Sequence, residues 1–251
     1  MHLLVTRPHP DANELIDQLQ ASGHQVSYFP LLEIKFHSNV KLPEKLPQAV
    51  LITSANGARG LGRHMQMSEL TSVPAITVGP ASAKAAQDAG FENIAQTGRG
   101  DVIGLIEHVR QHLRPENGPL LYASGTKTTG DLVGELQKNG FCVDRAVLYE
   151  AEPATQLPED ICQMVNSQGQ DKLDGVLLFS PRTAKIWLSL TKGCISSDVL
   201  AKIKYYCLSE NVAKIIDQGL GKFSDTIICD KPDTTSMQKA VYDVSCASSG
   251  S

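Results

Sequence analysis

Glu14-Leu15-Ile16-Asp17-Gln18-Leu19-Gln20-Ala21-Ser22-Gly23-His24-Gln25-Val26 aligns without a gap on Asp131-Leu132-Val133-Gly134-Glu135-Leu136-Gln137-Lys138-Asn139-Gly140-Phe141-Cys142-Val143. Both leucines and the glycine recur in place. In each copy the apolar residues fall at helical spacing, a glycine stands where a left-handed helix cap is needed, and an apolar strand follows. Similarity inside a chain at long spacing marks a duplicated structural unit, and this unit is helix plus strand.

Two further pairs extend the duplication. Ala49-Val50-Leu51-Ile52-Thr53-Ser54, opening a helix at Ala55-Asn56-Gly57-Ala58-Arg59, resembles Gly175-Val176-Leu177-Leu178-Phe179-Ser180 followed by Pro181-Arg182-Thr183-Ala184-Lys185. Ile76-Thr77-Val78-Gly79-Pro80-Ala81-Ser82-Ala83-Lys84 likewise resembles Tyr206-Cys207-Leu208-Ser209-Glu210-Asn211-Val212-Ala213-Lys214. Short apolar runs alternating with amphipathic helices predict parallel strands covered on both faces. Ten strands are expected, near residues 3–5, 25–29, 50–53, 76–78, 93–95, 120–122, 143–148, 176–179, 205–208 and 226–229. They make two five-stranded sheets.

The fold class is therefore α/β, with two doubly wound parallel-sheet domains of flavodoxin or Rossmann-like type, a two-segment linker and a cleft between them. Linkers are expected at residues 36–47 and 150–158, where Pro43, Pro47, Pro153 and Pro158 stand among polar residues. One domain then takes residues 1–35 plus 154–244 and the other 38–149. The small polar residues 245–251 read as a structureless tail. The length of 251 residues suits two cores of this size.

Composition narrows the function. Hydrophobic residues are 41% and charged residues 20%, ordinary for a folded soluble protein. No run approaches the ~18 apolar residues of a membrane span, and the first residues are too short for a signal-peptide core. A cytoplasmic monomer is expected. The net charge of -4 argues against nucleic-acid binding, which draws on clustered Lys and Arg. The six cysteines contain no Cys-x-x-Cys pair, so free, mostly buried thiols are expected in place of a zinc or redox motif.

Leu4-Val5-Thr6-Arg7-Pro8, Ile52-Thr53-Ser54-Ala55-Asn56, Thr77-Val78-Gly79, Val147-Leu148-Tyr149-Glu150 and Leu178-Phe179-Ser180-Pro181 occur in this order. With that order and spacing the chain resembles the uroporphyrinogen-III synthase family over almost its whole length. The resemblance implies a cofactor-free lyase. It would cyclise hydroxymethylbilane to uroporphyrinogen III, with loss of water and inversion of the last pyrrole, through an azafulvene and a spiro intermediate. It also implies hydroxymethylbilane synthase, the porphobilinogen deaminase, as the partner that would hand over the substrate. A non-catalytic tetrapyrrole- or anion-binding protein is the alternative.

The substrate carries eight carboxylates while the protein is acidic, so helix N-termini and strand-end turns are expected to hold them. That selects Ser54, Gly79, Ser124, Gly125, Ser180 and Ser209. Tyr149 matches the tyrosine that the family places nearest the reacting end, where its hydroxyl would assist the leaving group; packing at a domain edge is the plainer role. Ser82 matches a hydroxyl position of the family and also reads as a helix N-cap. Arg7 is a candidate for a carboxylate or for a surface ion pair.

Two departures from the family pattern stand out. Bacterial relatives often place Arg before the glycine of the turn that reads Ser124-Gly125-Thr126-Lys127-Thr128-Thr129-Gly130 here, and Lys127 is expected to replace that charge. The order of a phosphate-binding loop is absent. In the second copy, Glu210 and Val212 stand where small hydroxyl residues are usual. His108 and His112 have metal-ligand spacing but no third partner in sequence, and Arg99-Gly100-Asp101 reads as a turn into a helix capped by Asp101.

Overall fold

A computed structural model describes residues 1–128, 130–167, 169, 171–221 and 224–249. The chain opens with β1 (His2–Val5), α1 (Asn13–Ala21) and β2 (Gln25–Tyr28), and β3 (Leu32–Phe36) follows. Next come β4 (Ala49–Ile52), α2 (Ala55–Gly62), α3 (Met67–Leu70), β5 (Ala75–Thr77), α4 (Pro80–Asp88), β6 (Ile94–Gln96) and α5 (Val102–His112). β7 (Leu120–Gly125), α6 (Leu132–Lys138) and β8 (Val143–Pro153) complete the middle of the chain. The remainder is α7 (Glu159–Asn166), β9 (Gly175–Leu178), α8 (Pro181–Thr191), α9 (Ser197–Leu200), β10 (Lys204–Cys207), α10 (Glu210–Leu220), β11 (Asp225–Ile228) and α11 (Thr234–Ser249).

Two compact units result: residues Met1–Glu33 with Glu152–Ser251, and residues Ile34–Ala151. Unit 1 holds a five-stranded parallel sheet in the order β11-β10-β9-β1-β2. The second sheet runs β3-β8-β7-β4-β5-β6 and is parallel from β8 to β6. Set β7 and β8 against β1 and β2, and β4, β5 and β6 against β9, β10 and β11, and the five-strand layouts are the same. The duplicated segments occupy equivalent places, although the β-α-β pair that opens unit 1 closes the parallel sheet of unit 2.

The glycines of the repeat show why it recurs. Gly23 and Gly140 have φ of 80° and 84°, the left-handed region that a side chain disfavours. Each helix closes with the same pair of bonds: Gly23 N–H to Gln20 O and His24 N–H to Leu19 O, matched by Gly140 N–H to Gln137 O and Phe141 N–H to Leu136 O. Leu19 and Leu136, which anchor these turns, are buried.

Alternate residues of each apolar strand feed two cores. In unit 1, Leu4, Val176, Leu178 and Tyr205 meet α7, α8 and α10 through Ile161, Trp187 and Ile216. Leu3, Val5, Leu177 and Tyr206 meet α1 and α11 through Leu15, Leu19, Met237 and Val241. In unit 2, Val50, Ile52, Leu121 and Ala123 pack on α2 and α4, while Ala49, Leu51, Leu120 and Tyr122 pack on α5 and α6. Burial on both faces explains why these strands read as unbroken apolar runs.

The structure departs from the expected pair of five-stranded sheets at β3, an eleventh strand among the described residues. His37 N–H donates to Leu148 O at 2.9 Å and Ala154 N–H to Leu31 O at 3.1 Å, so β3 and β8 run antiparallel. The expected linker residues Phe36 and 150–153 thus lie in strands. Half-buried Leu32, Ile34 and Phe36 alternate with exposed Glu33 and Lys35, the pattern of a strand with one wet face. At the other end, α11 continues through residues read as a tail as far as Ser249, the small Ala and Ser residues extending a helix already nucleated; Gly250 and Ser251 lie outside the described residues. Among the described residues no helix is long and apolar enough to cross a membrane.

The thiols are less buried than expected: among the described cysteines Cys207 and Cys229 are buried, Cys162 is half-buried, and Cys142 and Cys194 are exposed. Burial, then each thiol's acidic or thiol neighbours, pushes Cys207 up to about 12 and Cys229 up to about 11. Since the thiolate is the nucleophile, a small alkylating agent at pH 8 is expected to label Cys142 and Cys194 in the folded protein and leave Cys207 and Cys229 untouched. Peptide mass mapping checks this, and equal labelling of Cys194 and Cys207 would contradict the described packing.

Candidate functional site

In a doubly wound sheet the strand order reverses where two neighbouring strands send their connections to opposite sides, and ligands bind outside the strand ends at that point. In unit 2 the reversal falls between β4 and β7, and in unit 1 between β1 and β9. Ser54 and Gly125 end the first pair of strands; Arg7 and Ser180 end the second.

At the unit 2 point, Ser54 caps α2, its Oγ accepting from Gly57 N–H at 3.1 Å. The same Oγ lies 3.0 Å from the Tyr149 hydroxyl. With one lone pair occupied by the amide, Ser54 can donate its own hydrogen to Tyr149, which frees the phenol hydrogen for a ligand. Tyr149 sits on β8 beside β7, where the register slips: Ser124 faces Val147 and Gly125 faces Tyr149. This bulge lays the tyrosine ring over Gly125 so closely that a Cβ there would stand 2.6 Å from the ring Cζ. Thr126 N–H donates to Tyr149 O at 2.9 Å. The Phe36 ring lies tilted to that of Tyr149 with its centroid 6.4 Å away, and the Arg63 guanidinium lies over Phe36 at 4.1 Å.

Ser124 is buried, and its hydroxyl donates to Ala146 O at 3.3 Å and accepts from Arg145 Nε at 2.9 Å. Arg145, which sequence reasoning missed, brings a further charge to this turn; Lys127 is exposed and makes no hydrogen bond or ion pair among the described residues. Thr129 of the same segment lies outside the described residues. Beneath the turn, burial raises the Tyr122 phenol while its contact with Thr53 Oγ1, at 3.1 Å, and the Arg145 charge act the other way.

Gly79 and Ser82 sit one strand away, at the start of α4. Gly79 itself is the cap residue and Ser82 is buried in the first turn, so the expectation of a serine cap is corrected: Pro80 supplies the first helical position and fixes the start. In unit 1, Ser180 caps α8 in a reciprocal box with Thr183, accepting from Thr183 N–H at 3.1 Å while Thr183 Oγ1 accepts from Ser180 N–H at 3.0 Å. Arg7 donates to Thr234 Oγ1 at 3.2 Å, lies 3.7 Å from Asp11 and rests 5.4 Å from the centre of the Phe179 ring. Ser209 caps α10 without a side-chain bond, and Glu210 beside it pairs with Lys214 at 3.7 Å. Val212 belongs to the core. The structure thus gathers Ser54, Gly125 and Tyr149 in one place, with Ser124 below them, and places Arg7 and Ser180 at the other switch point.

The remaining motifs are structural. Asp101 caps α5 by accepting from Gly104 N–H at 2.7 Å, and Arg99 pairs with Asp101 and Glu107. The His108 and His112 rings stack at 4.2 Å, and among the described residues no group of three metal-ligating side chains forms.

Two doubly wound units, with hydroxyls, a close-approach glycine and arginine side chains near their switch points, define a two-unit α/β protein. The chain belongs to the uroporphyrinogen-III synthase family: the family model described as Uroporphyrinogen-III synthase HemD matches residues 13–238. A curated relative, the porphyrin biosynthesis protein HemD of Ruminiclostridium josui, is 25% identical over 241 residues, covering 84% of this chain. The chain spans about half that relative's length, 45%. The crystal structure of uroporphyrinogen-III synthetase from Helicobacter pylori 26695 superposes with a TM-score of 0.65 at 17% identity, covering 97% of this chain and 100% of that one. A mutant uroporphyrinogen III synthase from the extremely thermophilic bacterium Thermus thermophilus gives 0.52 at 14% identity, covering 97% and 99%. Both likenesses show the fold.

Proposed function

We propose that this chain is a uroporphyrinogen-III synthase that cyclises hydroxymethylbilane with loss of water and inversion of the last pyrrole. The family match over residues 13–238 carries the reading, and the geometry around Tyr149 supports it. The reaction begins when the carbon–oxygen bond of the terminal hydroxymethyl group breaks. The pyrrole nitrogen's electrons stabilise the resulting azafulvenium, and the oxygen leaves as water once it gains a proton. Tyr149 hands its phenol hydrogen to that oxygen while Ser54 donates to the phenol oxygen, which limits the charge that builds there. The pyrrole at the far end then attacks through its substituted α-carbon to give the spiro centre. The bond from that carbon to its original bridge breaks and re-forms at the free α-carbon, and that carbon loses its proton, which the Tyr149 phenolate takes back. Folding of the bilane in the site controls this geometry.

Ser54, Gly79, Ser82, Gly125, Lys127, Arg7, Ser180 and Ser209 are proposed to hold or border the carboxylates. Ser124 acts from below, as a support of the turn. The reaction is placed in the cytoplasm, with hydroxymethylbilane synthase as the proposed supplier and a monomer as the working form.

Hydroxymethylbilane left alone closes to the type I isomer. With the purified chain added to a coupled supply of fresh hydroxymethylbilane, the type III isomer is expected to predominate after oxidation and chromatographic separation. Type I alone, from folded protein, sinks the catalytic reading and leaves a tetrapyrrole-binding protein.

A further inference from the structure

We propose that Arg145 is the positioning residue for Tyr149: its guanidinium locks the bulged end of β7 and so fixes the surface on which the tyrosine ring rests. The inference builds on the reading of Tyr149 as the proton donor.

A bulge breaks the ladder and strands backbone groups that need other partners. Arg145 supplies them. One nitrogen donates to Gly125 O at 2.7 Å and Thr126 O at 3.0 Å, and Nε donates to Ser124 Oγ at 2.9 Å. Ser124 passes the link to Ala146 O at 3.3 Å on the neighbouring strand. The fork therefore ties three successive residues of the turn to β8, four residues before Tyr149 on that strand. Among the described residues Arg145 forms no ion pair, so its hydrogen-bonding capacity is directed at this turn and not at a counter-charge. The turn in turn fixes Tyr149 from two directions: Gly125 lies against the ring face and Thr126 N–H holds the tyrosine carbonyl at 2.9 Å. With the ring and the main chain both held, the hydroxyl has one place to go, 3.0 Å from Ser54 Oγ. A lysine at 145 would bring charge but not the planar fork that reaches a hydroxyl and two carbonyls together.

Arg145→Ala should lower kcat by roughly 10- to 100-fold, the cost of a misplaced group, while KM moves by less than about threefold. In a Tyr149→Phe background the same change should add almost nothing, and millimolar methylguanidinium should restore part of the lost kcat to Arg145→Ala alone. Arg145→Lys keeps the charge at the turn and should fall between wild type and alanine, which covers the case in which alanine folds poorly. A second readout needs no activity. In protein carrying ¹³Cζ-tyrosine, the Tyr149 resonance, assigned by its loss in Tyr149→Phe, should move or broaden in Arg145→Ala and Arg145→Lys. An unchanged Tyr149 resonance, losses that multiply with Tyr149→Phe, or a raised KM at unchanged kcat would overturn the proposal. A wild-type protein that makes only type I isomer defeats the synthase reading, while the tyrosine resonance still decides whether Arg145 positions Tyr149.

Discussion

Gly125→Ala is expected to lower turnover at least as much as removing the Tyr149 hydroxyl. The added Cβ would stand 2.6 Å from Cζ, 2.8 Å from Cε2 and 3.0 Å from Cε1, distances at which the ring cannot remain. Because the tyrosine carbonyl is held by Thr126, relief comes from swinging the ring, which pulls its hydroxyl off Ser54. Loss of acid assistance costs ~10²- to 10⁴-fold in rate, and Tyr149→Phe should fall at the lower end because water can protonate so stabilised a leaving group. Gly125→Ala should reach ~10²-fold or more, since it also crowds the place where the substrate end would lie, and one extra buried methyl costs about 1–3 kcal/mol of stability. Steady-state kinetics on the two single variants and the double variant check this. Wild-type turnover in folded Gly125→Ala protein would remove the ring from the mechanism.

The largest loss of stability is expected from Trp187→Ala. Trp187 is fully buried on α8, within the core beneath β9 and β10. Truncating such a side chain costs about 3–5 kcal/mol, a large share of the ~5–15 kcal/mol that holds a typical domain folded. The sequence contains one tryptophan, so denaturation of the variant must be followed by circular dichroism. Trp187→Phe, which keeps much of the volume, should recover more than half of the loss. A Trp187→Ala midpoint within error of wild type would contradict the packing of α8 on its sheet.

The parts of the fold readable from sequence were those encoded by neighbours in the chain. The glycine caps at Gly23 and Gly140 and the serine caps at Ser54 and Ser180 are local chemistry, and they mark where strands end and helices begin. Strand order is not local. Nothing between Ala49 and Tyr149 in sequence says that β4 lies beside β7, so Ser54 and Gly125 at the switch point looked no different from Gly79 one strand away. Arg145 was missed for a similar reason: in Val143-Asp144-Arg145-Ala146 it reads as the wet residue of a strand, while the turn it serves lies 20 residues earlier. Lys127 is legible as a charge of the turn because it stands within the turn itself. β3 was hidden by the prolines that follow it, although its own five residues alternate as a strand should.

The pairing of β3 with β8 bears on the order in which the protein can assemble as it is synthesised. β1 lies in mid-sheet between β2 and β9, and the Thr6 hydroxyl that bonds Leu177 O does so across 171 residues. A nascent chain therefore presents β1, α1 and β2 long before their central partner exists. Residues 34–151, by contrast, emerge as one uninterrupted stretch and can fold while the rest is still being made. Once they have folded, His37 and Leu148 are joined at 2.9 Å, and the span between β2 and β9 shrinks from the whole insert to the short segments outside it. That saves roughly 1–2 kcal/mol of loop-closure entropy. The inserted unit thus works as a jig during translation, holding the first strands of the split unit within reach until the ribosome delivers the last ones.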